Sequence, residues 1–184
     1  MTRSTWYRDK FVLLFALGFI ALQLVGCATP AKVSNMTAHV DHSLQAAPPS
    51  PYFNNISILP VTGGSETHPL WTSQVASEDF QSALESTLSS AKLLGSPEDA
   101  QYQLAATILA LDQPLIGFNM TVDMTVDYLL KDKRTGKIVF GEKINSSYTG
   151  TMGDAFVGTT RLRITNEGAV RQNFDLFLKK LLKM

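Results

Sequence analysis

Few side chains in the 184-residue sequence have the type and spacing that catalysis requires. A nucleophile needs a nearby base, and His68 is the only histidine beyond the first 50 residues. Asp123 and Asp127 fall on one face of a predicted strand, which places their α-carbons about 13 Å apart. Paired carboxylates in glycosidases are only roughly 5–9.5 Å apart. We therefore interpret these aspartates as a solvated sheet face and expect no catalytic site.

Metal and phosphate sites have equally weak support in the sequence. His39 and His42 stand three residues apart, but no third ligand lies near them. Gly63 and Gly64 belong to neither a G-x-x-x-x-G-K-[ST] nor a G-x-G-x-x-G pattern, so they are typical of a turn that follows a strand. We expect no metal ion and no cofactor.

Cys27 is the only cysteine, and its position is informative. A basic segment with Arg3, Arg8 and Lys10 precedes an apolar stretch over residues 11–26, which is the layout of an export signal. The stretch is shorter than the roughly 20 residues of a membrane-spanning helix. It ends in Leu-Val-Gly-Cys, which resembles the bacterial lipobox. The resemblance implies cleavage between Gly26 and Cys27 and acylation of the Cys27 thiol.

The composition excludes several classes of protein. One cysteine cannot form an internal disulfide framework. The 16 basic and 16 acidic residues balance, so we expect no nucleic-acid partner. Removal of residues 1–26 takes away three basic side chains and one acidic side chain, which leaves a net charge of −2.

We predict three parts: a signal peptide over residues 1–26, a lipidated flexible tether over 27–51 and a folded domain over 52–184. The tether lacks apolar periodicity and ends in a proline-rich stretch. As a flexible coil, residues 28–50 would span on the order of 27 Å and lift the domain off the lipid.

Periodicity predicts the elements of the domain. A short β-branched run predicts a strand over residues 54–61, and period-two alternation predicts strands over 102–111, 118–130 and 138–148. Phe118 is expected to be the first core residue of the third strand. Helices are expected over 73–94, ending at Gly95, and near the C-terminus, capped by Thr159 or Thr160. The order β-α-β-β-β-α predicts an α+β two-layer sandwich, with two helices on one face of a four-stranded, mostly antiparallel sheet.

The predicted outer face of the sheet contains apolar side chains, which are typical of a surface that binds a partner. Alternation in the second strand places Leu109 and Leu111 there, unless the tether or the 149–158 loop covers them. Trp71 lies in the loop after the first strand, where it plugs the end of the sandwich or anchors a partner. With His68, these residues form a candidate partner or ligand surface.

Four segments carry a resemblance to a known family, together with the lipobox. They are the loop at 61–75, Glu78-Asp79-Phe80, Asp112-Gln113-Pro114 and the segment at 160–167. Over residues 52–180 the chain resembles a family of uncharacterised proteobacterial envelope lipoproteins. Its element order is similar to that of YajG-type lipoproteins and of auxiliary lipoproteins of ABC transport systems. The resemblance implies no catalytic residues, and Ala28 in place of Asp favours the outer membrane.

The sequence therefore favours a non-catalytic lipoprotein of the Gram-negative outer membrane that faces the periplasm. It would act in binding, assembly or transport, with the membrane and an envelope protein as partners. Two alternatives stay open. One is an envelope-acting enzyme that uses His68, Asp154 or Asp123. The other is a small-ligand or lipid carrier whose sheet–helix groove is lined by Met120 and Met124, although such methionines are more often core residues.

Overall fold

The computed structural model describes residues 27–68, 72–114 and 116–183. The predictions on the signal peptide and on Trp71 lie outside these residues. None of the helices within the described ranges is long and apolar enough to cross a membrane.

A four-stranded mixed sheet carries helices on one side, which confirms the predicted α+β class. Strand β1 pairs in parallel with β2, and β2, β3 and β4 pair antiparallel in sequence order. The elements are α1 (Val33–Met36), a 3₁₀ turn (His42–Leu44), β1 (Ile56–Ile58), α2 (Ser77–Ser90), β2 (Tyr102–Asp112), β3 (Met120–Asp132), β4 (Ile138–Gly150) and α3 (Gly158–Leu181).

Strand β3 confirms the period-two alternation. Every second side chain points into the core, and Tyr128 there stacks on Phe177 of α3 with ring centroids 4.3 Å apart. Asp132 closes the hairpin to β4, because its Oδ1 accepts hydrogen bonds from the Arg134 and Thr135 amides at 2.8 and 3.1 Å. Gly136 supplies the left-handed backbone that this turn requires, with φ at 72°.

The sequence prediction for the start of β3 is wrong. The strand begins at Met120, and Phe118 lies before it with 80% of its surface exposed. A prediction from alternation alone continues the strand for as long as apolar and polar residues alternate in the sequence. The strand instead begins where its other neighbour ends, since Met120 pairs with Gly150, the last residue of β4.

Both helices differ from the prediction at their ends, and α2 begins at Ser77 where the sequence predicted a start at residue 73. Helix α2 ends at Ser90, because Lys92 adopts a left-handed conformation and the Leu93 amide donates to the Leu88 carbonyl at 2.9 Å. This closing turn usually uses glycine, so the sequence pointed to Gly95. Helix α3 begins at Gly158 after Val157, without a side-chain cap, so the predicted threonine caps are wrong.

A β-bulge in β2 corrects the predicted face of Leu111. Ile108 pairs with Val126 and Ala110 pairs with Thr125, so Leu109 is an extra residue between two paired positions. The bulge inverts the alternation beyond it. Leu111 consequently stands opposite the core residue Met124 and is half-buried against the core.

The segment expected to be a flexible tether is packed against the domain. Met36 is fully buried, and Ala31, Ala38 and Ala46 are each less than 6% exposed. The segment lies against both long helices, since the Ala38 amide donates to Thr87 of α2 and Arg171 of α3 donates to the Asn35 carbonyl. Small alanines permit this close approach. Composition alone could not show it, because the segment has no periodicity of its own.

Candidate functional site at the Cys27 end

Cys27 lies directly on the surface of the folded domain. The residue itself is exposed, whereas the next one, Ala28, is only 5% exposed. One residue further on, the Thr29 carbonyl accepts a hydrogen bond from Ser73 Oγ at 2.8 Å. No slack chain therefore separates the predicted lipid attachment point from the domain.

The carboxylate of Glu167 holds the N-terminal segment in place. Glu167 is 2% exposed, and its Oε1 accepts from the Lys32 amide at 2.9 Å and from Arg163 at 2.8 Å. Its Oε2 accepts from the Asn35 side-chain amide at 2.9 Å. One buried charge is thus shared by the helix that carries it and by a segment distant in sequence. Helical periodicity cannot reveal such a role for a glutamate.

A second polar network closes the same end of the molecule. The Gln113 Nε2 donates to the Ser73 carbonyl at 3.0 Å and to Asn166 Oδ1 at 2.8 Å. Asn166 in turn donates to the Ser73 carbonyl at 3.0 Å, and both Ser73 and Asn166 are fully buried. These bonds join the end of β2, the loop before α2 and the first turns of α3.

A cavity of about 350 Å³ opens beside this network. This volume is near the lower end for a small-molecule site. Among the described residues that line it, Asp112 supplies the one carboxylate, and no histidine or cysteine contributes. The lining residues are Thr72, Gln74, Leu111, Asp112, Gln113, Pro114 and Leu162.

The structure gives Leu109 and Leu111, two members of the predicted partner surface, different surroundings. Leu109 is 49% exposed at the bulge, whereas Leu111 faces the core and lines the cavity. His68 is exposed, and its backbone pairs with that of Thr72 through bonds of 3.1 and 3.2 Å. Trp71 lies outside the described residues. The sequence placed Leu109 and Leu111 on one face by alternation, which the bulge interrupts.

Gly63 lies where its loop closely approaches β2. Its backbone has φ at 88°, and a β-carbon there would collide with the Ile108 carbonyl. The adjacent Thr62 continues the parallel pairing of β1 by bridging to Thr107. The glycine pair thus serves the turn that the sequence suggested.

The carboxylates considered for the alternative enzyme lie on different structural elements. Asp123 is exposed on the outer face of β3, and Asp127 stands opposite Lys143 in the sheet register. Asp154 lies in the loop after β4, where hydrogen bonds from the Thr151 amide and hydroxyl lower the pKa of its carboxyl. Within the described ranges, no three His, Cys, Asp or Glu residues gather as a metal site would require.

The methionines that the carrier hypothesis assigned to a sheet–helix groove are part of the packed core. Met120 and Met124, which the carrier hypothesis placed along a groove, are 5% and 1% exposed and belong to the core.

Comparison with solved structures finds bacterial proteins that are similar to this chain at low sequence identity. A DUF330 protein from Xanthomonas campestris has a TM-score of 0.59 at 11% identity, covering 84% of this chain and 95% of its own. A minor lipoprotein from Acinetobacter baumannii has a TM-score of 0.46 at 10% identity, covering 70% and 92%. A lipoprotein from Neisseria meningitidis has a TM-score of 0.41 at 12% identity, covering 71% and 99%.

No protein-family model matches the sequence, and no curated protein is significantly similar to it. The Xanthomonas match shows a shared fold, and a fold alone does not determine function. The likeness to YajG-type and transport-auxiliary lipoproteins stays a prediction from the sequence.

Proposed function

We propose that this protein is a lipoprotein anchored through Cys27 to the outer membrane, with its domain in the periplasm. The observation that carries the proposal is the position of the only thiol. Cys27 follows an apolar segment ending in Leu-Val-Gly, and it is exposed at the first residue of the packed domain. Two or more acyl chains on one residue anchor a protein stably, since each buried methylene contributes about 0.8 kcal/mol.

The domain itself acts as a non-catalytic module for binding, assembly or transport in the envelope. Its partner is an envelope protein, and the exposed Leu109 on the open sheet face is one contact. A carrier function has less support, because Met120 and Met124, which would line a sheet–helix groove, are buried in the core. An enzyme has less support, because its three candidate residues lie on different elements. His68 lies in the loop before α2, Asp123 on β3 and Asp154 in the loop after β4.

The experiment is to express the full chain in a Gram-negative host with an alkyne analogue of palmitate. The wild type is expected to incorporate the label, lose residues 1–26, partition into detergent and sediment with outer membranes. Cys27→Ser is expected to remain an unlabelled, uncleaved precursor, because a hydroxyl does not replace the thiol as the alkylated group.

A second variant tests whether processing requires the thiol at position 27 or accepts a thiol at another position. Ser34 is exposed in α1, seven residues beyond Cys27, so Ser34→Cys in the Cys27→Ser chain supplies a thiol without the preceding motif. We expect this double variant to stay unprocessed. Normal cleavage and palmitate incorporation in Cys27→Ser would contradict the lipoprotein assignment.

A further inference from the structure

Two loops at one end of the sheet present large apolar side chains to solvent. In the loop at 113–119, Ile116 and Phe118 are 88% and 80% exposed. In the loop at 151–157, Phe156 is 75% exposed, and Met152 and Val157 are more than one third exposed. The two loops are neighbours, because Met120 at the start of β3 pairs with Gly150 at the end of β4. We refer to these five side chains as the apolar tips.

Arg161 ties the two loops together. Its side chain lies inward from the tips, and the residue is 5% exposed. Nη2 donates to the Gly117 carbonyl at 2.7 Å, and Nη1 donates to the Ala155 carbonyl at 2.7 Å. A buried guanidinium that bonds to both loops fixes their spacing. The apolar tips are therefore held outward as a pair and are not folded back onto the core.

Cys27 belongs to the same end of the molecule. Gln113 opens the first of the two loops and donates to the Ser73 carbonyl, while Ser73 Oγ donates to the Thr29 carbonyl. The thiol is thus two residues, or at most about 7 Å of chain, from a backbone group tied to this end. Because Ala28 is already buried, a lipid on Cys27 would bring this end of the domain onto the bilayer surface.

We propose that the apolar tips insert into the interface of the bilayer that holds the Cys27 lipid, and so set the orientation of the domain. This inference rests on the proposed function, which supplies the lipid. The insertion is driven by apolar contact and not by charge. Among the described residues of the two loops, Asp154 is the one ionisable side chain, and its carboxylate is bound by Thr151. Exposed phenylalanines next to an acyl anchor suit the boundary between headgroups and acyl chains.

The test uses the full lipidated chain in phosphatidylcholine vesicles, with single thiols added at Phe118→Cys or Phe156→Cys. Each thiol carries a nitrobenzoxadiazole fluorophore, and the vesicles contain doxyl-labelled phosphatidylcholine as quencher. Ile138→Cys is the matched control, because Ile138 is 61% exposed at the hairpin end of the same sheet. That end is about 40 Å away along a 13-residue strand.

We expect blue-shifted emission and a loss of fluorescence to doxyl lipid at positions 118 and 156, and neither effect at 138. The result should be unchanged when phosphatidylglycerol is added or salt is raised. Emission at 118 and 156 equal to that at 138 would overturn the proposal. A blue shift without doxyl quenching would also overturn it, because it would place a protein or a second copy of the chain on the tips.

The intact mass of each labelled protein separates the two proposals. An acylated Cys27 with unquenched 118 and 156 positions overturns the insertion of the tips and leaves the lipoprotein assignment standing. A free Cys27 overturns the lipoprotein assignment, whatever the fluorescence shows.

Discussion

Glu167 shows how one residue can join segments that the sequence treats as unrelated. It sits on α3 with Arg163 one turn earlier, which reads as an ordinary surface ion pair. In the structure its carboxylate also accepts from Lys32 and Asn35, 135 and 132 residues away. A charge buried in this way is stable only while all of its partners remain in place.

We expect Glu167→Ala to lower the free energy of unfolding by about 3 kcal/mol, because it leaves the Lys32 amide, the Asn35 side chain and the Arg163 guanidinium without their acceptor. Urea unfolding measures the loss. Amide hydrogen exchange should also accelerate over residues 28–46, which the carboxylate holds in place.

The matched control is Glu142→Ala, which removes the exposed ion pair with Lys180. Both side chains of that pair are about half exposed. Its loss should cost about 0.5 kcal/mol or less. Equal effects of the two substitutions would show that Glu167 does not hold the N-terminal segment.

At the scale of elements, α3 departs furthest from a simple amphipathic helix. Its first half is buried on nearly all sides, because the sheet covers one side and residues 28–46 cover another. Gly168 lies where the helix crosses β4, and a β-carbon there would collide with the ring of Tyr148. The helix approaches the strand this closely because the residue at the crossing has no side chain.

We expect Gly168→Ala to destabilise the domain by about 2 kcal/mol through overpacking against Tyr148. Alanine has a higher helix propensity than glycine by about 1 kcal/mol, so propensity alone would make this substitution stabilising. A destabilised variant therefore indicates overpacking. Thermal unfolding of the purified protein measures the change.

Gly158→Ala provides the control within the same helix. The nearest atoms to a β-carbon at that position are Met120 Cε at 3.7 Å and Arg161 Nη2 at 4.0 Å. We expect a change below about 0.5 kcal/mol. A stabilised Gly168→Ala protein would mean that the helix can move away from β4 without cost.

At the scale of the whole molecule, the N-terminal segment decides what the domain can touch. It runs along the helices, so it leaves the outer face of the sheet open and removes the spacer between lipid and domain. Met36 is its central core residue and is fully buried.

We expect Met36→Ala to cost about 3 kcal/mol, because it opens a cavity between the segment and the helices. Met152→Ala, at a methionine that is 39% exposed, should change stability by less than about 0.5 kcal/mol. Urea unfolding compares the two. Similar stability of both variants would mean that residues 28–46 are only loosely attached.

The open sheet face yields a further prediction. Leu109 projects at the bulge, so Leu109→Asp should weaken capture of the envelope partner from detergent-solubilised membranes without unfolding the domain. Ile138→Asp, equally apolar and at the hairpin end, should capture the partner as the wild type does. An unchanged set of captured proteins in Leu109→Asp would assign the open face no role in binding.

Local patterns were sufficient for most of the fold. Apolar side chains repeat at the helical period through α2 and alternate through β3, and each pattern depends only on neighbours within one element. The hairpin turn at Gly136 likewise follows from residues next to each other. The candidate site was predictable only at Cys27, whose surrounding sequence predicts lipidation by itself. Among the apolar tips, Phe118 is predicted as a strand residue, because nothing local distinguishes it from a core residue.

The sequence by itself determined the class of the fold, the order of its elements and the one residue suited to carry a lipid. The tertiary structure decided the face of Leu111, the docking of residues 28–46, the burial of Glu167 and the pairing of the two exposed loops. The physical reason is the sequence distance between the residues that interact. A period or a turn depends on adjacent residues, whereas these four features depend on strand register and hydrogen bonds between residues distant in the chain.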